Sequence, residues 1–132
     1  MVPEGFRGRF SLVWAPPLLA GALLVASARP AAAHAILLSS SLEGAPVTAE
    51  TTTAVTLRFN CAIEVSLSRA LLMNARGDEA SLLSVAPGPS PGEMVVQLPA
   101  LAPGRYGVRY KVLAADGHLT DAILHFSVSA RR

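Results

Sequence analysis

Between residues 53 and 128, apolar side chains return at every second position in one short run after another. Val55, Leu57 and Phe59 alternate with Thr56, Arg58 and Asn60. Tyr106, Val108, Tyr110 and Val112 alternate with Gly107, Arg109 and Lys111, and Ala122, Leu124, Phe126 and Val128 with Ile123, His125 and Ser127. A period of two sends one set to each side of an extended chain, so each run reads as a strand with one buried face and one open face. Residues 35–38, 68–73, 80–85 and 94–98 read as four further strands, and no segment carries a convincing helical period. The breaks between strands hold turn residues: Gly44 and Pro46, Gly77, and the run Pro87-Gly88-Pro89-Ser90-Pro91-Gly92, which cannot continue a ladder. Seven short strands at roughly ten-residue spacing predict an all-β domain, a seven-stranded antiparallel β-sandwich of Greek-key topology.

The first 33 residues do not fit that pattern. Arg7 and Arg9 precede an apolar run over residues 12–26, and small residues follow, which is the three-part layout of a secretory signal peptide. Pro16 and Pro17 interrupt the run, and about 15 apolar residues fall short of the roughly 20 that a membrane span needs. Gly8 separates the two arginines, so general secretion is expected rather than the twin-arginine route. No cysteine follows a small-residue cleavage motif, so no lipid anchor is expected. Cleavage is expected after Ala31-Ala32-Ala33, with Ala26-Ser27-Ala28 as the rival site. The division is then a leader over residues 1–33 and one domain over residues 34–132. That domain is expected to be soluble and periplasmic or otherwise extracytoplasmic.

Removing the leader also changes the charge balance. Arg7, Arg9, Arg29 and Glu4 leave with it, and eight basic and eight acidic residues remain. A neutral, mixed-sign domain gives no footprint for nucleic acid or an anionic membrane. Cys61 is the only cysteine, so no intramolecular disulfide forms and stability must come from the apolar core.

Cleavage after Ala33 would make His34 the first residue, with a free amine and an imidazole that chelate one metal ion together. Asp116-Gly117-His118 lies between the last two strands, where Gly117 permits a tight backbone and a carboxylate and an imidazole can face one point. By itself the tripeptide is a weak signal, because Asp-Gly is a common turn pair. Joined to His34 it completes a set of three nitrogens and one oxygen. Tetragonal coordination of that kind suits Cu(II), the strongest binder of the divalent series. Zn(II) would take the same ligands as a tetrahedron. The amine and imidazoles bind only when deprotonated, so affinity is expected to fall in acid.

These residues carry a resemblance to the CopC family of exported copper-binding proteins. It rests on His34-Ala35-Ile36-Leu37-Leu38-Ser39, Gly44-Ala45-Pro46-Val47 and Val55-Thr56-Leu57-Arg58-Phe59. It continues in Leu101-Ala102-Pro103-Gly104-Arg105-Tyr106-Gly107-Val108, in Ala115-Asp116-Gly117-His118, and in Leu124-His125-Phe126-Ser127-Val128. The resemblance implies a cupredoxin-like, immunoglobulin-like sandwich. It also implies one Cu(II) per mature chain, held by His34, Asp116 and His118. Some members add a Cu(I) site on a methionine-rich loop; only Met73 and Met94 follow the leader here, so that second site is expected to be missing.

Where the family commonly has Phe-Ser-Glu, this chain has Phe59-Asn60-Cys61. The Cys61 thiol is either a soft ligand favouring Cu(I) or a small buried apolar group. Leu119 and Ala122 replace the family's usual Pro and Gly. His125 reads as a structural histidine with a ligand role as the alternative. Arg105, Arg109 and Lys111 read as a solvated strand face, or one that docks an acidic partner.

The function expected from all of this is a non-enzymatic copper carrier that sequesters Cu(II) or passes it to a separate membrane transporter or other copper-resistance protein. Two alternatives differ in class. One is an interaction module on the same sandwich that binds no metal. The other is a histidine-brace copper oxidase, disfavoured because a carboxylate ligand occupies the position oxygen needs and no tryptophan survives the loss of Trp14.

Overall fold

The protein is described by a computed structural model over residues 34–132. The expected signal peptide and both of its cleavage sites lie outside the described residues. The elements, in chain order, are β1 (Leu37–Ser40), β2 (Val47–Thr48), β3 (Thr53–Phe59), a single 3-10 turn (Val65–Leu67), β4 (Arg69–Met73), β5 (Glu79–Pro87), β6 (Glu93–Leu98), β7 (Gly104–Leu113) and β8 (Leu119–Ser129). They hydrogen-bond in the order β1-β3-β6-β5-β4-β7-β8-β2.

The alternation seen in the sequence is the alternation of burial. Val55, Leu57, Met94, Val96, Val108 and Val112 are all fully buried, each on the inward set of its strand. Burial of such side chains contributes about 1.5–3 kcal/mol apiece before conformational entropy is set against it. They meet in one core because the sheet curls on itself and β3–β6 comes to face β4–β7–β8. Phe59 of β3 crosses the gap to Tyr110 of β7, ring edge to ring face at 5.6 Å. The curl turns on β5. Its first half pairs with β4 (Ala70↔Leu83, Leu72↔Ser81), and its second half pairs with β6 (Ser84↔Gln97 to Pro87↔Met94).

Two expectations need correction. The described residues form eight strands, not seven, and one pairing is parallel. The extra strand, β2, lies parallel to β8 through Val47↔Val128 and Thr48↔Ser129, and two residues are too few to show a period. The first strand is also displaced from residues 35–38 to Leu37–Ser40. Ala35 turns inward and is buried, and the Ile36 amide donates to the Asn60 side chain instead of to a neighbouring strand.

Candidate metal centre

The turn between β7 and β8 is a three-residue hairpin loop. Gly117 N–H donates to the Ala114 carbonyl at 2.9 Å, and Ala114 N–H donates to the His118 carbonyl at 2.8 Å. Such a loop needs its last residue in the left-handed region, and Gly117 has φ +92°. The Asp116 carboxylate accepts the His118 amide at 3.1 Å, which ties the loop to itself. This local chemistry puts Asp116 at the tip and His118 immediately before the return strand β8.

The hairpin is held from outside. Leu113, at the end of β7, accepts from Glu64 N–H at 2.8 Å and donates to the Ser68 hydroxyl at 3.0 Å; that hydroxyl in turn donates to the Glu64 carbonyl. Ala114 bridges to Ile63, and Ala115 N–H donates to the Ala62 carbonyl. The same short segment holds the other half of the site. Asn60 accepts the Ile36 amide on its side chain at 2.8 Å, and its own amide donates to the Ile36 carbonyl at 3.0 Å. Residues 60–63 therefore bracket the N-terminal arm on one side and the hairpin on the other. Asn60 is a positioning residue that the sequence reading passed over, because its partner lies 24 residues away.

The bracket brings His34 to His118. Their ring centres are 5.4 Å apart with the planes at 78°. A ligating nitrogen stands about 2 Å from its ion, so two imidazoles on one ion keep their ring centres within roughly 6 Å of each other. Asp116 Oδ1 lies 3.1 Å from His118 Nδ1. That nitrogen is buried and has no hydrogen bond within the described residues. A buried ring nitrogen beside a carboxylate and a second imidazole brings together the donor types of a cation site.

The three predicted ligands thus share one end of the molecule, but they do not yet form a finished ligand set. Among the described residues, no group of three or more His, Cys, Asp or Glu side chains is arranged to hold a metal ion. Cys61 is a free, partly buried thiol packed against the core. His125 faces Gly107 far along the β7–β8 ribbon and takes no part in this end.

A model of the CopC domain matches residues 37–129, which include Asp116 and His118 and begin three residues after His34. The fold superposes on the crystal structure of CopC from Methylosinus trichosporium OB3b with a TM-score of 0.62 at 24% identity, covering 75% of this chain and 97% of that one. It superposes on PcoC, a methionine-rich copper resistance protein from Escherichia coli, with a TM-score of 0.53 at 26% identity, covering 74% and 100%. A filamin domain of Lin-41 superposes with a TM-score of 0.50 at 11% identity, covering 72% and 91%. That last likeness is one of fold alone. No curated protein matches the chain by sequence.

Proposed function

The chain belongs to the CopC family, its function is related to copper, and on that footing we propose that it is an exported carrier that binds one Cu(II) at the His34 end. Export supplies part of the site. Cleavage after Ala33 exposes the amine of His34, and that amine, the two imidazoles of His34 and His118, and the Asp116 carboxylate make up the ligand set. The observation that carries the reading is the meeting of His34 and His118 at 5.4 Å beside Asp116. Each comes from a different end of the chain, and residues 60–63 hold both.

The chemistry asked of the protein is binding and release. Asp116 supplies a negative charge that offsets part of the ion's charge, and its hydrogen bond from the His118 amide fixes the direction of the carboxylate. The His34 and His118 side chains are solvent-accessible, so the ion sits where another protein can reach it. That placement suits sequestration or hand-over to a separate membrane transporter, in the space outside the cytoplasm.

The test compares two forms of the protein by Cu(II) titration and EPR: one beginning at His34, the other carrying one extra residue before it. The first is expected to bind one Cu(II) with a nitrogen-rich tetragonal spectrum, and the second to bind far more weakly. Equal affinity in both would remove the amine from the site.

A further inference from the structure

On the open face of β7 and β8, away from the hairpin, lies a groove of about 360 Å³ lined by Arg76, Arg105, Gly107, Ile123 and His125, with Met73 at its base. Two observations set it apart from the rest of that face. The first is charge. Arg109 is gripped by both oxygens of Asp121 and by Glu79, and Lys111 also reaches Asp121. Arg105 and Arg76 have no ion pair among the described residues, and His125 has no charged partner there either. The strand face read as solvated is therefore neutral at its hairpin half and cationic at its groove half.

The second observation is shape. Gly107 sits between Met73 on β4 and His125 on β8. A Cβ there would stand 3.0 Å from Ile123 Cγ2, 3.4 Å from Met73 Cβ and 3.6 Å from His125 Nδ1. Ile123 and Met73 therefore close over the bare Gly107 backbone and give the groove an apolar floor. Met73 is buried outside the main core, at the base of the groove, and Ile123 keeps 44% of its surface exposed.

We propose that this groove docks a short acidic segment of a protein partner, with carboxylates on Arg76 and Arg105 and a small apolar side chain laid against the exposed Ile123. Unpaired guanidinium groups are matched to carboxylates by their planar, two-pronged geometry. The exposed apolar side chain of Ile123 beside them selects a peptide over a bare anion. The groove stands away from the metal end: Gly107 and Leu113 are six strand residues apart, about 20 Å. A partner held here would leave His34 and His118 uncovered.

The experiment uses residues 34–132, which hold every described element, and follows the fluorescence anisotropy of a fluorescein-labelled pentapeptide alternating aspartate and valine. Saturable binding that weakens with salt is expected, as is a loss of about tenfold or more in the double variant Arg76→Glu/Arg105→Glu. Ile123→Ser, which removes the exposed apolar surface of the groove, is expected to weaken binding while leaving the circular dichroism spectrum unchanged. Arg58→Glu, on β3 in the other layer, carries the same kind of charge change and is expected to bind as the parent does.

Four outcomes would overturn the proposal: no binding at all, an equal loss in Arg58→Glu, equal binding of a lysine–valine peptide, or displacement by millimolar inorganic phosphate as readily as by unlabelled peptide. The peptide affinity is expected to be the same with and without Cu(II), so this result stands apart from the copper reading.

Discussion

Asn60 does two jobs with one residue: its side chain accepts the Ile36 amide and its backbone donates to the Ile36 carbonyl. Asn60→Ala removes the first bond and leaves the Ile36 amide without its protein partner. Truncation is expected to weaken Cu(II) binding by the His34 form while His118 and its hairpin stay in place, because His34 would no longer be held in reach. Isothermal titration of the two forms reads this directly, and unchanged affinity would take Asn60 out of the site.

A second residue-scale prediction concerns Asp121. The hydrogen bond from Arg109 holds its carboxyl below the usual range, helped by the nearby charges of Arg109 and Lys111 and opposed by desolvation. A carboxylate with a lowered folded-state pKa adds stability that is complete above its unfolded value and is lost as pH falls through the folded one. The contribution is small because the groups face solvent. Asp121→Asn is expected to be less stable than the parent near neutrality, and the gap is expected to close below about pH 4. Urea titrations at neutral and acid pH check the sign. The Asp116-Gly117-His118 turn was legible in the sequence because it is built from adjacent residues. Asn60 was not, because nothing local in Phe59-Asn60-Cys61 announces a contact with a strand-less arm near residue 36.

Among the elements, β3, β7 and β8 were readable because each has enough residues to display its period and one face against the core. β2 escaped for want of length. The switch of β5 from β4 to β6 was also invisible, since alternation tells which side chains face inward and says nothing of which strand lies alongside. The outer face of β7 shows the same limit. Arg105, Arg109 and Lys111 look alike in sequence, and only the pairing of β7 with β8 reveals that Asp121 serves two of them. The hairpin between β7 and β8 carries a prediction of its own. At φ +92°, Gly117→Ala places a side chain in the left-handed region at a cost of about 1–2 kcal/mol, although nothing stands within 4 Å of the added Cβ. Thermal unfolding should show that loss. Copper affinity should fall with it, since the backbone must relax at the residue between Asp116 and His118.

For the molecule as a whole, copper and folding are linked. An ion that binds only the folded protein stabilises it by about 2.7 kcal/mol at a free concentration of 100 times Kd, which for a domain of this size corresponds to a rise in Tm on the order of 10 °C. Calorimetry of the His34 form with and without Cu(II) should show this rise, and His118→Ala should lose most of it. A rise of the same size in His118→Ala would place the ion elsewhere.

The parallel rung between β2 and β8 has a further consequence. Val47 lies beside Val128, and Ala49 N–H donates to the Ser129 carbonyl, so a two-residue clasp fastens the start of the domain to its last strand. A clasp that spans nearly the whole chain closes only once β8 has taken its place, which makes this a slowly folding ring of high contact order. It also means that a truncation that cuts into β8 loosens the beginning of the domain.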